Sequence, residues 1–186
     1  MHDKEIFAKI TQKFGETGFS WMDNHNGDPY LVIPVERLRQ LAAFLKEQPA
    51  LGFDTLTSIS GVHQMEEVEK IEVVYHLYSY RHRHRLTFKV QLERPLILLH
   101  YYLRVATVSD IWPAAGWLER EVYDMLGVHF QGHRDFRRLL LPTDWQGYPL
   151  LKDYQESDTY RGITTTRKEA SLTDPPAEKQ PVAGTS

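Results

Sequence analysis

The first apolar pattern in the chain has the spacing of a helix. Ile6, Phe7, Ile10 and Phe14 recur every three to four residues and Gly15 and Gly18 follow, which predicts an amphipathic helix over 3–15. Phe19–Met22 and Tyr30–Ile33 are short apolar stretches around an Asn26-Gly27 pair, the composition of a hairpin turn. Pro34 suits the first turn of a second helix, in which Val35, Leu38, Leu41, Ala42 and Leu45 form the buried stripe. The period then changes. Phe53–Val62 reads as a strand, and Ile71–Tyr80 with Arg85–Leu92 as a long hairpin. Its second arm alternates Leu86, Phe88, Val90 and Leu92 with polar residues. Leu96–Val105 could add a further strand.

A third helix starts near Trp112. Ser109 or Asp110 is the expected cap, Pro113 is tolerated in the first turn, and Gly127 stands where a left-handed residue ends a helix. Helix, hairpin, helix and meander predict an α+β fold: an antiparallel or mixed sheet with helices packed on one face. That domain is expected over 1–155. Residues 156–186 are polar and contain Thr164-Thr165-Thr166 and Pro175-Pro176, so they are expected to be an extended or disordered tail that orders on a partner.

Composition narrows the chemistry. The chain has 186 residues, a net charge of −3 and no cysteine. Without thiolates it cannot supply iron–sulfur ligation, disulfides or a Cys-based zinc site. The polar start lacks a signal segment, and 95–108 is interrupted by His100 and Arg104, so membrane attachment is expected only through partners. Arg81-His82-Arg83-His84-Arg85 is read as a solvated hairpin tip or a contact for an acidic partner rather than a nucleic-acid site. Tyr75, Tyr78, Tyr80, Tyr101 and Tyr102 read as ordinary sheet aromatics. His129 and His133 are expected to make loop hydrogen bonds rather than bind metal, because Gly127 and Gly132 break the helix a zinc pair would need. No phosphate loop or catalytic triad spacing is present.

The informative stretch runs from Trp112 to Tyr154. Its helix carries Glu119-Arg120-Glu121 and Asp124. Arg120 and Asp124, four apart, are expected to pair along the surface for about 0.3–0.5 kcal/mol. Helical phase places Glu121 with Trp117, Leu118, Val122 and Met125, near the apolar face. There it would need a cationic partner such as Arg137 or Arg138, another hydrogen bond, or a raised pKa. Taken alone, the three charges Glu119-Arg120-Glu121 read as a solvated face. Trp117, Glu119-Arg120-Glu121-Val122-Tyr123-Asp124, Gly127, Phe130, Gly132-His133, Asp135, Arg137-Arg138, Leu141-Pro142, Asp144-Trp145, Gly147, Pro149-Leu150 and Lys152-Asp153-Tyr154 then follow in order. This string closely resembles the signature of the 30 kDa subunit family (the C subunit) of NADH:quinone oxidoreductase, respiratory complex I. The sequence departs from the family pattern at Arg134, Tyr148, Leu151 and Gln155, where the family commonly has Pro, His, Arg and Pro.

The resemblance implies a connecting subunit of the peripheral arm of a proton-translocating NADH:quinone oxidoreductase, with no catalytic residues of its own. The equivalent subunit of a related membrane-bound hydrogenase or other quinone-reducing complex is the alternative. It also implies that FMN and iron–sulfur clusters reside in partner subunits and none in this chain. The implied neighbours are the D and B subunits and other peripheral-arm subunits, on the cytoplasmic side of a bacterial inner membrane. The implied partner interface comprises Glu119, Arg120, Glu121, Tyr123, Asp124, His133, Arg137, Arg138, Asp144, Trp145, Lys152, Asp153 and Tyr154.

Overall fold

The computed structural model describes residues 3–23, 27–65, 68–94 and 103–165. The described residues fall into two units, divided between Tyr154 and Gln155. In the first, helix α1 (Asp3–Phe14) buries Ile6 and Ile10 completely. Strands β1 (Ser20–Met22) and β2 (Tyr30–Ile33) then pair antiparallel. A short 3-10 turn, Val35–Arg37, follows Pro34 and leads into α2 (Leu38–Glu47). Leu38, Leu41, Ala42 and Leu45 are its buried stripe, as their spacing predicts, while Val35 packs at the margin.

Strands β3 (Thr55–Met65), β4 (Glu69–Ser79) and β5 (His84–Glu93) form an antiparallel meander. The sheet order is β1-β2-β5-β4-β3, with β2 parallel to β5, so the sheet is mixed. Alternation sorts its two faces. Ile71, Val73, Tyr75 and Leu77 of β4 join Leu86, Phe88, Val90 and Leu92 of β5 in the core, where the register partners Tyr75 and Phe88 stack at 4.7 Å. On the other face the buried Glu72 carboxylate accepts from Lys89 (3.0 Å) and Gln91 (2.7 Å).

The strand expected over Leu96–Val105 is only partly within the described residues, since 95–102 fall outside them. What is described, β6 (Arg104–Ala106), does not extend the meander. It pairs in parallel with β7 (His129–Gln131), so α3 (Ala115–Leu126) is the crossover between them. The expected cap is also corrected. The N-cap position of α3 is Ala114, with no side-chain cap, and Ser109 and Asp110 belong to the preceding turn. Gly127 does close the helix, at φ 77°.

In the second unit, the first part of the tail has local structure of its own. Thr159–Tyr160 (β8) and Ile163–Thr164 (β9) make a small hairpin around Arg161-Gly162. The rest of that tail, 166–186, lies outside the described residues.

Candidate functional site

The signature helix α3 is buried on two sides, and this decides what its charges do. On the sheet side Ala115, Glu119, Val122 and Leu126 face the core. Gly61 of β3 makes that approach possible, because a Cβ there would overlap Leu126 Cδ1 and press on Val122. Glu119 has no exposed surface. Its carboxylate accepts the Thr107 hydroxyl at 2.5 Å and the Val108 amide at 2.8 Å, holding the turn that leads into the helix. Arg39 of α2 grips the same turn through the Thr107 carbonyl and both Asp110 oxygens. Burial pushes the Glu119 carboxyl up to about 7, against the pull of the Thr107 and Val108 hydrogen bonds and with a further push from Asp110.

The other side of α3 lies under the segment that follows β7. Arg120 donates to the carbonyls of Arg137 (3.0 Å) and Arg138 (3.1 Å) and to Asp135 (3.4 Å), with its guanidinium 5.0 Å from the Trp117 ring. Asp124 is also fully buried. One of its oxygens collects three successive amides, from Leu139, Leu140 and Leu141, at 3.0, 2.7 and 2.8 Å. The other takes Arg138 at 2.7 Å. Burial alone would raise the Asp124 carboxyl; the Leu141 amide, Arg138 and the Leu140 and Leu139 amides together hold it below the usual carboxylate range. Arg138 continues to the Gly147 carbonyl (3.0 Å) and lies over Tyr148. His133 bonds the Gly116 carbonyl through Nε2 (2.9 Å) and accepts the Asp135 amide at Nδ1, so it is a loop ligand for backbone, as expected.

Two expectations are overturned. Glu121 is exposed, not drawn to the apolar face. Arg120 and Asp124 are both buried and reach into the 135–141 segment, so theirs is no surface pair. The single-face phase assumed for α3 failed because the helix has two buried faces. Of the residues the resemblance assigned to an interface, Glu119, Arg120, Asp124 and Arg138 are spent inside the chain. Tyr123 is half-buried against Phe136 at 4.3 Å. Asp144, Lys152 and Asp153 are exposed, and Trp145 and Tyr154 half-buried. The surface that remains outward includes Trp117 (64% exposed), Leu140 (61%), Arg137 and Glu121.

A cluster that the pattern of residues did not disclose ties down the end of this segment. His63 of β3 accepts the Lys152 amide at Nδ1 (2.9 Å) and meets Glu69 of β4 through Nε2 at 2.7 Å. Arg94 bonds Glu69 (2.5 Å) and both oxygens of Asp153 (3.0 and 2.9 Å), and this pairing holds the Asp153 carboxyl low. Ligand atoms of His63, Glu69 and Asp153 lie within 4.8 Å of one another, a spacing a metal ion could use. The Arg94 guanidinium already satisfies both carboxylates there, so the cluster works as a latch. The single legible signal was His63 on the core-facing register of β3.

Residues 31–160 match the family described as "Respiratory-chain NADH dehydrogenase, 30 Kd subunit". The chain belongs to this family. Among its relatives is the C subunit of NADH-quinone oxidoreductase from Chloroherpeton thalassium, 39% identical over 161 residues; the alignment covers 84% of this chain but only 62% of that protein. The C/D subunit of NADH-quinone oxidoreductase from Pseudomonas paraeruginosa is 36% identical over 160 residues, 82% of this chain and 26% of that longer protein. A chain in the structure of the membrane-bound sulfane sulfur reductase, an archaeal respiratory membrane complex, superposes with a TM-score of 0.65 at 27% identity, covering 82% of this chain and 85% of that one. Among the described residues no helix is long and apolar enough to cross a membrane.

Proposed function

We propose that this family member is a connecting subunit of a respiratory complex of the NADH:quinone oxidoreductase type, contributing shape rather than redox chemistry. The observation that carries the reading is the use made of the family's charged signature. Glu119, Arg120, Asp124 and Arg138 are consumed in holding two backbone turns, and the result is a braced ledge presenting Trp117, Glu121, Arg137 and Leu140 to solvent. Tryptophan and arginine are the residues most often found to dominate binding at protein interfaces. Buried charges braced this way act from beneath the ledge; the contact itself falls to the exposed residues, with Asp144, Lys152 and Asp153 at its margin. FMN and iron–sulfur clusters, and the electron path from NADH to quinone, belong to neighbouring subunits on this reading. A D-type subunit is the first partner, because one relative is a C/D subunit in a single chain. A B-type subunit is the expected next neighbour, and residues 156–186 lie along a partner.

A second reading follows from the likeness to a sulfane sulfur reductase chain: the same connecting role in a membrane complex with a different donor or acceptor. Co-purification separates the two. The tagged full chain should bring down the D-type subunit and, on the first reading, a complex that oxidises NADH with quinone. In Trp117→Ala/Arg137→Ala the amount of complex should fall, while NADH oxidation by ferricyanide per flavin persists. Normal assembly with abolished quinone turnover would overturn the connecting role, as would stoichiometric flavin or iron on the purified chain.

A further inference from the structure

The turn between β4 and β5 carries charge that nothing in the described chain neutralises. In the stretch 81–85 the two histidines point inward and the arginines outward. His82 bonds the Pro49 carbonyl at 2.8 Å and His84, buried, bonds the Leu51 carbonyl at 2.7 Å. The His84 ring also packs on Phe53 at 4.7 Å and on His82 at 5.5 Å. The tip is therefore fastened to the loop before β3. Tyr80, 70% exposed, is steadied edge-on against Tyr78 at 5.1 Å.

The neighbouring carboxylates are bonded to other groups. Asp28 pairs with Arg85 at 2.7 Å, and Asp54 accepts the Tyr80 amide at 3.2 Å. Arg81 and Arg83, both exposed, take no acidic partner among the described residues. Arg83 also occupies a left-handed conformation, φ 53°. Of the eight other positive-φ positions among the described residues, seven are filled by glycine, which adopts this conformation without strain, and one by Arg161. An arginine held there gives up backbone comfort for its side chain, and such strain concentrates at functional positions.

We propose that Tyr80, Arg81 and Arg83 form a second docking point, which receives an acidic segment of a neighbouring subunit. Two guanidinium groups carried on a fastened turn, beside an exposed tyrosine, match carboxylates, which arginine binds in paired geometry. A groove lined by Asp28, Thr57, His76, Tyr78, Arg85 and Thr87 lies beside Tyr78 and gives such a segment room, with the Asp28 charge offset by its pairing with Arg85. A lipid surface fits less well. Recognition of anionic lipid typically takes a cluster of about four to eight basic residues, and two free arginines fall short of it. The proposal rests on the assembly role argued above, but on different residues.

The test uses the full chain in its native assembly. In Arg81→Lys/Arg83→Lys, a water-soluble carbodiimide joins each amine to any carboxylate in contact, and mass spectrometry reads the pair. Links from position 81 or 83 to Asp or Glu of another subunit are expected; links confined to this chain overturn the proposal. Arg81→Glu/Arg83→Glu should lower the amount retained on the complex about tenfold at low salt, a gap that narrows as salt rises. Arg83→Gly should raise the thermal midpoint of the full chain, by relieving the backbone, yet still lower retention. Retention equal to wild type in both variants overturns the tip alone, provided the wild-type chain captures its D-type partner. A wild-type chain that captures no partner sinks the assembly role and the tip with it. Wild-type binding to phosphatidylglycerol vesicles, lost in the Glu variant while complex retention is unchanged, would assign the tip to a membrane and also overturn the proposal.

Discussion

Replacing Glu119 with Gln changes one buried, ionisable group and leaves its hydrogen bonds satisfiable. The Gln carbonyl can accept the Val108 amide, and its NH2 can donate to the Thr107 hydroxyl, which then donates to Ser109 as it is placed to do at 2.8 Å. The variant thus mimics protonated Glu119. In the folded chain the carboxyl is raised from its ordinary 4.5 to about 7 by burial, opposed by Thr107 and Val108 and reinforced by Asp110. Below 4.5 both folded and unfolded states hold the proton, and the side chain is neutral in each. As pH rises from 4.5 to about 7 the unfolded chain ionises first, so stability is progressively lost; above 7 the loss is complete. At about 1.4 kcal/mol for each tenfold, that difference is worth about 3 kcal/mol. Urea unfolding followed by tryptophan fluorescence, with Trp112 buried in the core as reporter, should therefore show wild type and Glu119→Gln within about 1 kcal/mol of each other at pH 5. At pH 8 the variant should be the more stable, by up to about 3 kcal/mol. Curves that stay parallel from pH 5 to 8 would refute the reasoning, since the carboxyl would then ionise in the fold as easily as out of it.

Three further outcomes are expected. Asp124→Ala removes the acceptor of three amides and the partner of a buried Arg138, so it should cost about 3–5 kcal/mol in urea unfolding and expose 135–147 to proteases; in wild type the Asp124 contribution should be present above its ordinary 3.8 and be lost as acid protonates its lowered carboxyl. Gly61→Val should destabilise by about 1–3 kcal/mol, because the added methyl groups force Leu126 and Val122 from the sheet; an unchanged midpoint of thermal unfolding would mean α3 does not pack there. Arg94→Met should unlatch the end of the signature segment, seen as faster amide exchange at Lys152 and faster cleavage near 148–154, while exchange in β4 and β5 stays slow.

The sequence by itself determined the three helices and the strands β1 to β5 in their order, but not β7 or the β8–β9 hairpin. Alternation in 86–92 and the 3–4 spacing in α1 and α2 are local properties of neighbouring residues, and each element buries the side chains its period marks. The ordered match from Trp117 to Tyr154 likewise lay open along one continuous stretch, and with it the family. The tertiary structure alone decided which charges of that stretch are inside. Glu119 is buried because Thr107 and Val108, before the helix, offer it donors, and Asp124 because the 139–141 amides close over it from beyond β7. A helix with two covered faces has no single phase to read, so Glu121 looked buried and is exposed. The latch was hidden for the same reason. His63, Glu69, Arg94 and Asp153 come from two adjacent strands, the end of a third and a distant loop. A charge inside a protein is tolerable only beside the groups that satisfy it, and those groups are neighbours in space rather than along the chain.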